Sequence, residues 1–239
     1  MSVLEVKNLT KKFGKRTILD DINLTIKEGE VVGLVGPNGA GKSTFLKSIL
    51  GLYMIDSGSV NICGNDVWKN HHQALSKVGC IVENPDMYQN ISGRKNLQIC
   101  ALMQNLPKST DFNKVIHLVR LESRIDDKVK TYSLGMKQRL GLALALLSDP
   151  KLLILDEPIN GLDPQGIMEL RTIVKKLSQE HKTSVLISSH ILFEIGQMCD
   201  RIVMIDQGKI VDSFTMEEIR QKNISLEEEY LRKASKEIR

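Results

Sequence analysis

One stretch limits the possible folds of this chain more than any other. Gly36-Pro37-Asn38-Gly39-Ala40-Gly41-Lys42-Ser43-Thr44 follows a compact apolar run, Val31 to Val35, and precedes a helical face through Phe45, Leu46, Ile49 and Leu50. This is G-x-x-x-x-G-K-S set between a buried strand and a helix. Its glycines let backbone N–H groups converge on phosphate oxygens without side-chain clash. The helix that follows turns its positive end toward the anion. Lys42 is placed to reach β- and γ-phosphates, and the Ser43 hydroxyl to ligate Mg²⁺. The stretch therefore predicts nucleoside triphosphate binding by Gly36, Asn38, Gly39, Gly41, Lys42, Ser43 and Thr44.

A second acidic element supports this. Leu152-Leu153-Ile154-Leu155 is a hydrophobic strand that ends in Asp156-Glu157-Pro158. Ligands of open α/β sheets sit at the carboxyl ends of strands. Asp156 is then placed to hold the magnesium shell. Glu157, the adjacent residue at a strand end, faces another way and is the candidate for polarising an attacking water.

The rest of the pattern fits an α/β protein. Short strands with turns occupy the first 30 residues, and residues 58–83 alternate again around Val60, Ile62 and Ile81. From Leu97 to Leu147 the pattern is helical, with breaks near Pro107 and Tyr132. Ile167 to Leu177 is amphipathic, and Ser184–Ile187 and Ile202–Ile205 are further buried strands. Alternating strands and helices predict a mainly parallel sheet. The segment after Ser213 is charged and reads as helical, with Leu226, Tyr230 and Leu231 as one apolar stripe.

Composition narrows the class of function. Of 239 residues, 41% are hydrophobic, enough for a real core, and the net charge of +4 is spread without any basic block, so no nucleic-acid partner is expected. The four cysteines form no C-x-x-C pair and suit a reducing compartment. No signal-like segment is read at the start. The longest apolar run, Leu140 to Leu147, is far short of the roughly 20 residues that a membrane span needs.

Three further stretches carry a family resemblance. Tyr132-Ser133-Leu134-Gly135-Met136-Lys137-Gln138-Arg139 looks like the LSGGQ signature, Asn160-Gly161-Leu162-Asp163 like the D-loop, and Ser188-Ser189-His190 like the switch histidine. With the phosphate loop and the Asp156-Glu157 pair, the chain resembles the ATP-binding subunit of ABC transporters over residues 2–212. The resemblance implies a P-loop NTPase core, an N-terminal antiparallel β subdomain and an α-helical signature subdomain at about 84–148. It also implies a single ATP-binding domain over residues 1–212 and a helical tail over 213–239.

The same resemblance implies roles. Phe13 would stack on adenine. Glu157 would orient water, and His190 would contact the γ-phosphate. Two copies would sandwich two ATP molecules head to tail, with Ser133, Gly135 and Met136 of one copy meeting the phosphates of the other and Asp163 spanning the two. An integral membrane permease would be driven from the cytoplasmic face, docking against residues from Glu83 to about Gln104, with Met87, Tyr88 and Ile91 as contacts or local core. The cofactors implied are ATP and Mg²⁺.

Two departures stand out. Tyr132, Leu134 and Met136 replace the usual Leu, Gly and Gln of the signature. Glu83 occupies the position of a glutamine that ligates Mg²⁺, and a carboxylate is an acceptable hard ligand. Glu83 and the Ser-Leu-Gly-Met-Lys-Gln-Arg run look most like the bacitracin-resistance and lantibiotic self-immunity branch, which implies peptide-antibiotic export. The alternative is a soluble ABC-type ATPase acting on ribosomes or nucleic acid. That reading sits poorly with a single ATPase domain and with the absence of sustained heptads between the phosphate loop and the Asp156-Glu157 pair. No N-K-x-D guanine-reading motif is present.

Overall fold

The computed structural model describes residues 1–82, 87–222 and 224–234. It opens with a long hairpin in which β1 (Ser2–Phe13) and β2 (Arg16–Lys27) pair antiparallel around a turn at Gly14. The sequence pattern predicts several short strands here. The observed strands are each 12 residues long, because register shifts after Val6 and Leu9 break the apolar alternation without ending the pairing. β4 (Ser57–Ile62) and β5 (Asn65–Asp66) complete a four-stranded antiparallel sheet of order β2-β1-β4-β5.

The second sheet contains β3 (Val31–Val35), β6 (Val78–Ile81), β7 (Leu152–Asp156), β8 (Ser184–Ser189), β9 (Arg201–Asp206) and β10 (Lys209–Thr215). Its order is β10-β9-β3-β8-β7-β6. All neighbours are parallel except β9 and β10. Continuous apolar runs suit this position, since both faces are covered. Alternate residues feed two separate cores. Val31, Leu153, Val185 and Ile202 pack on the helical side, while Val32, Leu152, Leu186 and Val203 pack toward the antiparallel sheet. Each fully buried aliphatic side chain of this kind contributes about 1.5–3 kcal/mol relative to exposure.

The helices are α1 (Lys42–Ile49), α2 (His71–Leu75), α3 (Gly93–Met103), α4 (Phe112–Leu118), α5 (Leu134–Leu146), α6 (Pro164–His181), α7 (Leu192–Met198), α8 (Met216–Lys222) and α9 (Leu226–Ala234). A 3₁₀ turn at Val129–Thr131 leads into α5. Tyr132 marks the break before α5. It is buried, and its hydroxyl donates to Arg124 O at 2.7 Å.

α5 lies directly on β6. A Cβ at Gly79 would collide with the backbone of Ala145, so only glycine permits this approach. The expected boundary between residues 212 and 213 falls inside β10, which continues to Thr215 because it pairs with β9 along its length. The helical segment begins at Met216.

Candidate active site at the carboxyl ends of the central strands

β3 delivers the chain into the phosphate loop, and α1 starts immediately after Gly41, whose φ of 109° no side chain tolerates easily. Lys42 is buried. Its ammonium donates to Gly36 O at 2.8 Å and Pro37 O at 3.2 Å, and Glu157 Oε1 lies 3.5 Å away. The loop's own carbonyls therefore aim the lysine, and the Glu157 carboxylate beside it belongs to another strand end.

That strand end is held by Ser188. β7 and β8 pair with Asp156 opposite Ser188, and the Ser188 hydroxyl donates to the Asp156 carboxylate. The same oxygen accepts the Glu157 amide N–H at 2.9 Å. Glu157 then turns with φ 48°, in the left-handed region that a non-glycine residue rarely occupies. The turn separates the two acids. Asp156 faces Ser188, while Glu157 reaches Lys42 with one oxygen and His190 Nδ1, at 2.9 Å, with the other. His190 follows β8 directly, so the two acids and the histidine come from adjacent parallel strands.

An open cleft joins these parts. Asn38, Gly39 and Gly41 to Thr44 line one side, Glu157, Asn160 and His190 the other, and Ile18 closes an edge. A Cβ at Gly39 would meet nothing within 4 Å, which leaves the loop backbone open to a ligand. The hydroxyl of Ser43 and the carboxylate of Asp156 are hard oxygen donors of the kind Mg²⁺ takes. Among the described residues no cluster of three or more His, Cys, Asp or Glu is formed. Glu83 lies outside the described residues.

Phe13 stands at the tip of the β1–β2 hairpin, outside the cleft lining, with its ring half exposed. Tyr53 packs edge-on against it at 5.4 Å, and the Lys11 ammonium sits 4.7 Å from the ring centre. Sequence pattern does not mark Tyr53 or Ile18, and it marks Ser188 only as part of the stretch that ends in His190. For Ser188 the available signal was a polar residue at the end of an apolar strand.

The signature residues sit apart from this cleft. Ser133 caps α5, accepting the Met136 amide N–H at 3.3 Å. Asp163 caps α6, accepting that of Gly166 at 2.8 Å, with Pro164 in the first turn. Both are favourable N-caps, each about 1 kcal/mol better than alanine. Met136 packs partly buried against the core, and Gly135 lines a small apolar cavity beside Leu162 and Leu170. Tyr88 is exposed, whereas Met87 packs against the core. Buried Asn96 fixes this segment by accepting the Tyr88 amide N–H at 2.9 Å and donating to Tyr88 O and Ser92 O.

Residues 19–160, from Leu19 of β2 past the phosphate loop and the signature to Glu157 and Asn160, match the family model described as ABC transporter. This chain belongs to the ABC transporter family. As an ABC ATP-binding domain it binds ATP and is an ATP hydrolase. It is 43% identical over 92% of its length to the bacitracin transport ATP-binding protein of Enterococcus faecalis, covering 72% of that protein. It is 46% identical over 87% of its length to the lantibiotic transport ATP-binding protein of Streptococcus pyogenes, covering 89% of that protein. A solved ATP-binding subunit of an ABC transporter superposes with a TM-score of 0.84 at 30% identity, covering 97% of this chain and 99% of that one. ABC ATPases of this kind work as dimers with membrane permease components. No helix among the described residues of this ABC domain is long and apolar enough to cross a membrane.

Proposed function

We propose that this chain powers a membrane permease that exports a peptide antibiotic of the bacitracin or lantibiotic kind, conferring resistance or self-immunity. The observation that carries the ATP-driven part is Glu157, which reaches both Lys42 and His190 at the mouth of the nucleotide cleft. The cargo rests on the likeness to the bacitracin and lantibiotic transport proteins.

In this mechanism Gly36, Asn38, Gly39 and Gly41 offer backbone N–H groups to the phosphates of ATP, and Thr44 continues that cradle into α1. Lys42 leaves its loop carbonyls for the β- and γ-phosphates. Ser43 and Asp156 would hold Mg²⁺, with Glu83 as a third oxygen donor, and the bound ion would offset phosphate charge. Glu157 orients the attacking water, and His190 contacts the γ-phosphate. Phe13 supplies the stacking face for adenine. Catalysis is then positioning plus charge stabilisation.

Two identical copies form a head-to-tail sandwich in this proposal. Ser133, Gly135 and Met136 of each copy meet the nucleotide of the other, and Asp163 lies between them. The chain is peripheral on the cytoplasmic face of the membrane. Its domain runs through the end of β10, with a signature subdomain at about 84–148 and a helical tail beyond. The exposed Tyr88 supports docking of the permease on that subdomain.

The experiment is to pull on a tagged Glu157→Gln chain from gently solubilised membranes with ATP present. Co-purification of a protein with several hydrophobic spans supports the proposal. Ribosomal or nucleic-acid partners without a membrane protein overturn it, and the antibiotic cargo falls with it.

A further inference from the structure

The signature of this chain carries Leu134 where glycine is usual, and the structure provides that leucine with a partner. Leu134 Cδ2 stands 2.8 Å from the place a Cβ on Gly161 would occupy. One residue on, the sizes reverse, and the Cβ position of Gly135 is 3.8 Å from Leu162 Cδ2. Large meets small, then small meets large, so the start of α5 and the Asn160–Asp163 turn mesh side by side. Leu162 continues inward against Gly166, within 3.5 Å of its Cβ position. Leu134 is 47% exposed and Gly161 is exposed as well, so burial in a core does not account for the contact.

We infer that Leu134 is a positioning residue that locks the Asn160–Asp163 turn to the signature end of α5 within one chain. Asn160 lines the chain's own nucleotide cleft. Ser133, beside Leu134, is offered to the partner's nucleotide in the head-to-tail sandwich proposed above, on which this inference rests. The Leu134–Gly161 contact therefore joins the two nucleotide sites through one side chain resting on one backbone. Glycine at position 134 leaves the turn unsupported. A side chain at position 161 meets the flexible tip of the leucine and pushes it off the turn.

A double-mutant cycle tests this with four chains: the parent, Leu134→Ala, Gly161→Ala and the double variant. Gly161 has a φ of 75°, so alanine there is strained whatever surrounds it. That strain is common to both backgrounds and cancels in the cycle, and only the collision with Leu134 differs. Leu134→Ala is expected to lower kcat about tenfold with KM within about twofold. It should also bring the Hill coefficient for ATP toward 1 and leave the thermal midpoint unchanged, and Leu134→Met should restore all of these. Gly161→Ala is expected to cost about fivefold less in the Leu134→Ala background than in the parent.

Additive effects within about twofold, or a Leu134→Ala chain with parental kcat and Hill coefficient, overturn the inference. Glu157→Gln with ATP separates the two proposals. If that chain forms a trapped dimer while the cycle is additive, the sandwich stands and the role of Leu134 falls. If it stays monomeric, the sandwich falls and takes the link between sites with it.

Discussion

The carboxylate of Glu157 and the imidazole of His190 face each other at 2.9 Å across the mouth of the nucleotide cleft. Neither is held by a core. Their approach follows from the pairing of β7 with β8, which ends one strand at Asp156 and the other at Ser189. If Nδ1 carries the proton it donates to Glu157, and in the neutral ring Nε2 is then the acceptor.

For the His190→Ala chain, kcat is expected to fall about a hundredfold, the scale of a positioned acid–base group. ATP binding should stay within about threefold of the parent, since the ring contributes to the reacting geometry more than to ground-state binding. Steady-state ATPase rates and equilibrium binding of a fluorescent ATP analogue check the two parts separately.

Ser188 is fully buried, and its hydroxyl serves Asp156 and the Glu157 amide together. Ser188→Ala strips both of a partner. Stability should drop by about 1–3 kcal/mol, the cost of leaving buried polar groups unsatisfied. The kcat should drop about tenfold as Glu157 loses its fixed turn. Chemical denaturation gives the first number and ATPase kinetics the second. A variant that loses stability at full kcat would show that the Glu157 turn holds without the serine.

Phe13 and Tyr53 form an edge-to-face pair outside the cleft lining. Base–aromatic stacking contributes about 1–3 kcal/mol, so Phe13→Ala should raise the KM for ATP about tenfold with kcat within about twofold. Tyr53→Ala should give a smaller rise, because the second ring only orients the first. An unchanged KM in Phe13→Ala would remove Phe13 from the nucleotide site.

The legible part of this fold was the part in which each residue answers to one neighbour in sequence. The phosphate loop and the buried runs at Val31 and Leu152 each declare themselves locally. β1 and β2 read shorter than they are, because exposed Lys7-Asn8 interrupts the alternation at a register shift that only pairing with the other strand explains. α2 spans five residues and buries only Ala74, too little for any periodicity. Within the candidate site, Ser188 and Tyr53 act through partners more than 30 residues away, and no spacing rule reaches that far.

At the far end of the chain, Glu229 is buried between Arg232 and Lys222. Hydrogen bonding from Arg232, then from Lys222, pulls its carboxyl from the ordinary 4.5 to about 2. The pKa is depressed on folding, so the stabilisation is complete above about pH 4.5 and is lost as pH falls toward 2. Lys222 is the last residue of α8, so acid should loosen the tie between α8 and α9. Amide exchange at residues 226–232 should rise steeply below about pH 4.5 in the parent, and much less steeply in Glu229→Gln, whose amide does not titrate.

The strand that leads into the phosphate loop has both of its neighbours supplied from the far side of the chain. Val31 and Val32 pair with Val185 and Leu186 on one edge, and Val32 pairs with Arg201 on the other. During synthesis, at roughly 5–20 residues per second, that strand waits on the order of ten seconds before either neighbour is made. The newborn chain therefore carries its ATP-binding segment unassembled until β9 has emerged. A chain stalled or cleaved before that point leaves Val31–Val35 as an exposed apolar edge for chaperones or other chains to seize.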